Sequence, residues 1–215
     1  MTQHRLDSCT RLLIRLSAAL AARDEESHRE ILGEGAQRGH GRQVEEVLLQ
    51  SYLFLGYPIA LNAFALWREI GGRDSGAGTE EDWESWEKRG EDVCRTVYGG
   101  QYEGLRRNVR DLHPDMERWM VVEGYGKVLG RPYLDLATRE LCIASLLSVL
   151  GAPRQLYSHL RGALNAGAGK EEVEEALSLA CLHMDDGSPE DVWAVWRRVR
   201  TRAGETPNEV LSETE

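Results

Sequence analysis

The sequence predicts an all-α protein, and three observations support that fold class. No segment alternates apolar and polar residues over the length of a strand, and no Asn-Gly pair marks a hairpin. Apolar residues instead recur every three or four positions, as on one face of a helix. Residues 171–182, "EEVEEALSLACL", are typical, because their apolar side chains share one face: Val173, Ala176, Leu177, Ala180 and Cys181.

The third observation is an internal likeness between two distant segments. Residues 29–49, "REILGEGAQRGHGRQVEEVLL", align with residues 158–178, "SHLRGALNAGAGKEEVEEALS", at an offset of about 129 positions. Each copy reads as a helix, a glycine-rich break and an amphipathic helix that begins with acidic residues. The likeness predicts a helical bundle built from two degenerate repeats of helical hairpins about an approximate twofold axis.

This pattern divides the chain into four parts. We expect a degenerate first repeat at residues 1–70, an acidic linker and helix at 71–94, a second repeat at 95–203 and a flexible tail at 204–215. The linker begins with a Gly- and Ser-rich run, and the tail is polar throughout.

Composition limits the class of function. A hydrophobic content of 41% in 215 residues is enough for a real core, which excludes a disordered chain. The formal net charge of −10 argues against nucleic acid or an anionic membrane as a partner.

The cysteines and the apolar windows predict a cytoplasmic protein. The four cysteines are Cys9, Cys94, Cys142 and Cys181. None belongs to a CxxC pair or lies at metal-ligand spacing from a histidine, which suits a reducing compartment. No window approaches the roughly 20 apolar residues of a membrane helix. Arg15 interrupts the apolar N-terminal run "RLLIRLSAALAARDE", so this run predicts an amphipathic helix and not a signal peptide.

Two ionisable residues stand on faces that should be buried. Residues 141–150 are apolar almost all round, so they predict a buried helix, and Glu140 lies in its first turn after the capping residue Asp135. After a break at Gly151 and Pro153, a second helix carries His159 on its apolar face.

Two consecutive helices joined by a short break pack antiparallel, which brings Glu140 and His159 within reach of each other. A carboxylate beside an imidazole raises the basicity of the imidazole and orients its ring. Such a pair can move a proton to or from a bound substrate. We therefore take Glu140 and His159 as the candidate catalytic residues.

Longer motifs around this pair resemble a known family. The segments "LHPDMERWMVVEGYGKVLGRPYLDLATREL" and "GAPRQLYSHLRGALNAGAGKEEVEEAL", at residues 112–141 and 151–177, resemble the carboxymuconolactone decarboxylase family. That family belongs to the alkylhydroperoxidase-D-like superfamily of all-helical proteins. A weaker resemblance covers residues 30–70, which end in "GYPIALNAFALWREI".

The resemblance implies which branch of the superfamily is relevant. In the peroxidase branch a CxxC pair precedes the histidine, but those two positions are Ala152 and Gln155 here. A dithiol peroxidase needs a thiolate and a resolving thiol, so this activity is disfavoured. The decarboxylase branch keeps the acid and the histidine without the cysteines, and it uses neither a metal nor an organic cofactor.

In that branch His159 would be the general acid and base, and Glu140 its partner, on a small carboxylated substrate. Arg131 or Arg139 could pair with the substrate carboxylate. The remaining substrate-binding candidates follow from the same resemblance: Trp119, Tyr125, Gln155 and Tyr157. The resemblance also implies a homo-oligomer, as members of this family leave large apolar faces.

A third function stays open, that of a non-catalytic oligomeric or binding protein. The first copy has Arg11 or Leu12 at the position of the glutamate and Glu30 or Ile31 at that of the histidine. At most one working site per chain is therefore expected. Asp185 and Asp186, next to His183, are interpreted as the end of a helix and a turn, and no metal site is predicted there.

Overall fold

The structure is a computed structural model that describes residues 6–73, 81–184 and 189–203. The described residues form helices and no strand, which confirms the all-α prediction. The α-helices are α1 (Ser8–Ala22), α2 (Glu25–Gln37), α3 (Gly41–Glu69), α4 (Trp83–Tyr98), α5 (Tyr102–Leu112), α6 (Pro114–Trp119), α7 (Leu136–Val149), α8 (Pro153–Asn165), α9 (Lys170–Cys181) and α10 (Pro189–Ala203). A 3₁₀ turn (Gly99–Gln101) precedes α5, and a π-helix (Met120–Leu129) continues α6.

Aspartates fix the first residue of several helices. The carboxylate of Asp7 accepts hydrogen bonds from the backbone N–H groups of Cys9 and Thr10, at 2.8 and 3.0 Å. The carboxylate of Asp135 accepts one from the N–H of Thr138, at 2.9 Å. Each bond satisfies a donor that the first turn of a helix leaves without a partner. The predicted cap at Asp135 therefore sets the register of α7 and the position of Glu140.

Helix α7 is the centre of the bundle. Residues 138–148 are buried on every face, and the helix packs against α1, α8 and α9. The hydroxyl of Ser145 donates a hydrogen bond to the carbonyl oxygen of Ile14 in α1, at 3.1 Å. A helix that is apolar on all sides has no face to offer to water, so the other helices surround it.

Helix starts recur along the chain with one spacing. Helices α1 and α7 begin 128 residues apart, as do α2 and α8, and α3 and α9 begin 129 apart. The ion pairs follow the same spacing, because Arg11 pairs with Glu175 whereas Arg139 pairs with Glu46. A duplicated unit would produce this arrangement. The duplication itself, and the division into four parts, stay predictions.

Helix α3 differs from what the sequence suggested. By length and composition alone it could cross a membrane, so the expectation that no window approaches such a span was wrong. About a third of its most apolar window is buried, and a core helix passes the same test. At Gly56 the backbone leaves the helical region, with φ of 80° and ψ of 166°, and Pro58 follows. The segment is therefore two shorter helices joined at a kink.

Several sequence-based interpretations lie outside the described residues. They concern most of the Gly- and Ser-rich run, within residues 74–80, the turn at Asp185 and Asp186, and the tail at 204–215. Among the described residues, no group of three His, Cys, Asp or Glu side chains could hold a metal ion.

Helix α4 and the π-helix approach each other closely through two glycines. A Cβ atom added at Gly90 would overlap the carbonyl oxygen of Val121, and one added at Gly126 would overlap that of Trp86. The two backbones are thus in contact without intervening side chains. Helix α4, with Cys94 and Tyr98, also packs against α8.

We predict that Gly90→Ala lowers the free energy of unfolding by about 1–3 kcal/mol, the usual cost of overpacking. Elsewhere in a helix the same change raises stability by up to about 1 kcal/mol. Gly104→Ala in α5 is the matched control, because an added Cβ there meets nothing within 4 Å. Urea denaturation measures both variants, and equal stability of the two would contradict the close approach.

Candidate active site

Glu140 and His159 meet in the interior of the protein. Glu140 lies in the first turn of α7 and is fully buried, and His159 lies on α8 with 6% of its surface exposed. The Nδ1 atom of His159 is 2.8 Å from Oε2 of Glu140. The structure therefore brings together the two residues that the sequence predicts, at hydrogen-bonding distance.

A missing side chain makes room for this contact. Gly162 lies one turn after His159 on α8, and a Cβ atom added there would lie 2.7 Å from Oε2 of Glu140 and 2.7 Å from Cγ1 of Val97. A larger residue would push the carboxylate away from the imidazole. On the other side, the ring of Phe54 contacts the ring of His159 edge-on, with centroids 5.7 Å apart.

The second oxygen of Glu140 differs from the first. Oε1 is buried and has no hydrogen-bond partner among the described residues. Buried carboxylate oxygens in native proteins nearly always have a donor, and an unsatisfied one costs about 1–3 kcal/mol. This oxygen is therefore an acceptor that a donor outside the described protein atoms would satisfy.

Two tyrosines and a cysteine lie close enough to Glu140 to interact electrostatically with its carboxylate. The hydroxyl of Tyr125 donates a hydrogen bond to that of Tyr98, at 3.0 Å. The pKa of each tyrosine lies above its usual value, mainly because the side chain is buried. The negative charge of Glu140 raises the pKa further. Burial raises the pKa of the Cys94 thiol to about 12. All three side chains therefore stay protonated at neutral pH and can donate hydrogen bonds.

The two candidate arginines lie in a separate buried cluster. Arg139 is fully buried, and its Nη2 atom donates to Oε2 of Glu46 at 2.7 Å. The Nε atom of Arg131 lies 3.0 Å from each oxygen of the same carboxylate. Burial lowers the pKa of Arg139, although Glu46 opposes that shift. Both guanidinium groups thus pair with the single carboxylate of Glu46, and their role toward a substrate stays a prediction.

The other predicted pocket residues are spread over several surfaces. Tyr125 lies within the surroundings of Glu140. Trp119 ends α6 with 49% of its surface exposed, and Gln155 is exposed on the first turn of α8. Tyr157 is half-buried, with the guanidinium carbons of Arg161 and Arg198 at 6.0 and 5.2 Å from its ring centroid.

Sequence reasoning did not find several residues around the pair. Phe54 comes from α3, Cys94 and Tyr98 come from α4, and no local spacing links either helix to α7 or α8. Gly162 did carry a signal, because it follows His159 by three positions and therefore shares its helical face. Glu46 was recognisable only as one acid in an amphipathic segment.

The first half of the chain lacks this pair. The positions 128 residues before Glu140 and His159 are Leu12 and Ile31, and both are 1% exposed. Helices α1 and α2 therefore have buried apolar side chains where the second half has a carboxylate and an imidazole. Ala152 and Gln155 likewise provide no thiol beside His159.

We predict that Gly162→Ala lowers the free energy of unfolding by about 1–3 kcal/mol through its clash with Glu140. One of the two clash partners disappears in a Glu140→Ala background, while Val97 remains, so the same change should cost less there without becoming neutral. A double-mutant cycle by urea denaturation measures the difference. Equal costs in the two backgrounds would show that the carboxylate does not fill the space beside Gly162.

We also predict an order of thiol reactivity. Cys94 and Cys142 are fully buried, and burial raises the pKa of each to about 12, so almost no thiolate exists at pH 8. Cys9 and Cys181 are partly exposed and should react first. Iodoacetamide labelling followed by peptide mass spectrometry, with and without urea, measures the order. Rapid modification of folded Cys94 would refute it.

Comparison with known proteins gives one family match and one relative. Residues 114–195 match the model of the carboxymuconolactone decarboxylase family. A protein of Schizosaccharomyces pombe (strain 972 / ATCC 24843) named "Peroxisomal protein 2" is 35% identical over 95 residues, which are 43% of this chain. The chain spans less than half of that relative, since the match covers 44% of it. The segment that is similar to the carboxymuconolactone decarboxylase family therefore extends from α6 into α10 and contains Glu140 and His159.

Proposed function

We propose that this protein is a cofactor-free proton-transfer enzyme, of the carboxy-lyase type, that acts on a small carboxylated substrate. One observation carries the proposal: the buried pair of His159 Nδ1 and Glu140 Oε2 at 2.8 Å, beside a carboxylate oxygen that has no partner among the described residues. The family match supports the class of chemistry, and the substrate and the reaction are part of the proposal.

In this mechanism Glu140 selects the tautomer of His159. When the imidazole is neutral, its Nδ1–H donates to the carboxylate, so Nε2 carries the lone pair that acts as the base. After Nε2 takes a proton, the carboxylate stabilises the imidazolium. When the bond to the leaving carboxylate breaks, its electron pair stays on the substrate carbon, and the proton on Nε2 moves to that carbon.

Arg131 is the better candidate of the two arginines for holding the substrate. The Arg131 side chain is 20% exposed, whereas the Arg139 side chain has no exposed surface. Arg131 could turn toward a ligand and leave Arg139 to neutralise Glu46. Removing Arg139 would instead leave a buried carboxylate with weaker compensation.

A non-catalytic role is the second candidate, and limited access to the pair favours it. The side chain of His159 is only 8% exposed, and Phe54 packs against its ring. Three surface cavities of the described chain are lined by other residues and include neither His159 nor Glu140. In that case the pair would tie α7 to α8 within a binding or oligomeric protein. A thiol peroxidase has less support, because the pKa of buried Cys94 is raised.

We further propose a homo-oligomer in the cytoplasm. Tyr57 and Leu61 are 59% and 62% exposed, and they lie one turn apart on the second half of α3. Contiguous exposed apolar patches mark surfaces that bind another protein, and these two neighbouring side chains would form part of such a patch. The name "Peroxisomal protein 2" describes the Schizosaccharomyces pombe relative and not this chain.

The test is turnover of a panel of small carboxylic and lactone acids, followed by NMR in deuterated water. A competent substrate should lose carbon dioxide or exchange a carbon-bound hydrogen for deuterium. We expect His159→Ala to lower the rate by about 10²-fold or more, the usual contribution of general acid–base catalysis. Glu140→Gln should also lower it, because the amide no longer stabilises the imidazolium.

His113→Ala is the control. His113 is exposed and caps α6, whereas Glu140 and His159 lie on α7 and α8. It should leave the rate unchanged. Folding of each variant is checked by circular dichroism and thermal unfolding. A rate that persists in folded His159→Ala would refute the enzymatic proposal, and no turnover of any acid by the unmodified protein would favour the non-catalytic role.

A further inference from the structure

We propose that a cavity between the first two helices and α9 is a second binding site, for a small organic monoanion that has a short apolar tail. The site is a cavity of about 600 Å³ between α1, α2 and α9. Pockets for small molecules typically enclose about 300–1,000 Å³, so the volume suits such a ligand. The cavity shares no lining residue with the surroundings of Glu140 and His159.

Arginines form the polar side of this cavity. Arg15 of α1 donates from Nη1 to Oε2 of Glu34 in α2 at 3.1 Å, and Arg38 donates from Nη2 to Oε1 of the same carboxylate at 2.9 Å. Arg11 also lines the cavity and pairs with Glu175 of α9. Two guanidinium groups, those of Arg15 and Arg38, thus share the single carboxylate of Glu34 on a protein with a net charge of −10.

The contact with Glu34 indicates the class of ligand. Its carboxylate already bridges Arg15 and Arg38, so the two guanidinium groups are spaced for an anion with two oxygens. Each guanidinium carries five N–H donors in a planar fork that matches a carboxylate. The side chains of Arg15 and Arg38 are 32% and 49% exposed, so they can turn toward a second carboxylate without unfolding the helices.

The remaining residues that line the cavity are apolar, which is why we propose a ligand with an apolar tail. Leu6, Leu12 and Leu179 are each buried to more than nine-tenths and form the floor of the cavity. Leu182 also lines it, yet 78% of its surface is exposed, which is unusual for a leucine and places it where a tail could cover it. A ligand with a carboxylate and an alkyl chain satisfies both sides.

Arg15 and Arg38 have no charged counterpart in the second half of the chain. Leu12 stands 128 residues before Glu140, whereas the positions 128 after Arg15 and Arg38 are Ile143 and Ala166. Neither of these two can hold an anion. Each half therefore has ionisable residues that the other lacks. The second half has Glu140 and His159 in its core, and the first half has Arg15 and Arg38 at the surface cavity.

Sodium octanoate is the probe, and isothermal titration calorimetry of the full chain at low salt is the measurement. We expect saturable binding of one octanoate per chain, with weaker binding of sodium acetate, which lacks the tail, and of 1-octanol, which lacks the charge. Arg38→Ala should weaken octanoate binding about tenfold, as expected for a lost charge-assisted contact. Leu182→Ala should weaken it severalfold.

Two variants decide where the octanoate binds. Arg29→Ala is matched to Arg38→Ala, because Arg29 lies on α2, whose C-cap residue is Arg38, and the comparably exposed Arg29 side chain pairs with Glu69 outside the cavity. Both Arg29→Ala and His159→Ala should bind octanoate as the unmodified chain does. The proposal is overturned if octanoate does not saturate, if 1-octanol binds equally well, if Arg29→Ala and Arg38→Ala weaken binding equally, or if His159→Ala abolishes it. None of these results affects the enzymatic proposal, which rests on turnover.

Discussion

The arrangement of the bundle depends on the compensation of two buried charges. Arg139 and Glu140 are consecutive on α7, and neither has exposed surface. Because consecutive residues on a helix point about 100° apart, their partners must come from different directions, and they do, with Glu46 on α3 and His159 on α8. A buried charge without a partner costs about 3–5 kcal/mol, so α3 and α8 are held in fixed positions around α7.

Local sequence was sufficient for the part of the site that lies on neighbouring helices. The cap at Asp135, the apolar run after it and the short break before α8 together placed Glu140 near His159. The same reasoning could not find Glu46, which is 93 positions from Arg139, or Phe54 and Tyr98. Those contacts depend on how α3 and α4 pack, and packing follows from the whole core and not from the spacing within one segment.

The two halves of the chain keep a common framework but differ in chemistry. The ion pairs of Arg11 with Glu175 and of Arg139 with Glu46 each join the first helix of one half to the third helix of the other. Such crossed pairs hold the halves together whether or not a site is present. The ionisable pair in the core occurs in the second half alone. The first half has the apolar residues Leu12 and Ile31 at the corresponding positions.

The two buried glutamates differ in how fully their carboxylate oxygens are satisfied. Both oxygens of Glu46 accept hydrogen bonds from guanidinium groups, as a purely structural carboxylate should. Glu140 uses one oxygen for His159, and within the described part of the chain its other oxygen has no partner. The nearby hydroxyls of Tyr98 and Tyr125 are kept protonated by burial, yet Tyr125 donates to Tyr98 and not to this oxygen. A structural pair gains nothing from an unsatisfied acceptor, whereas a proton-transfer site needs a position at which a substrate group or a water molecule can donate.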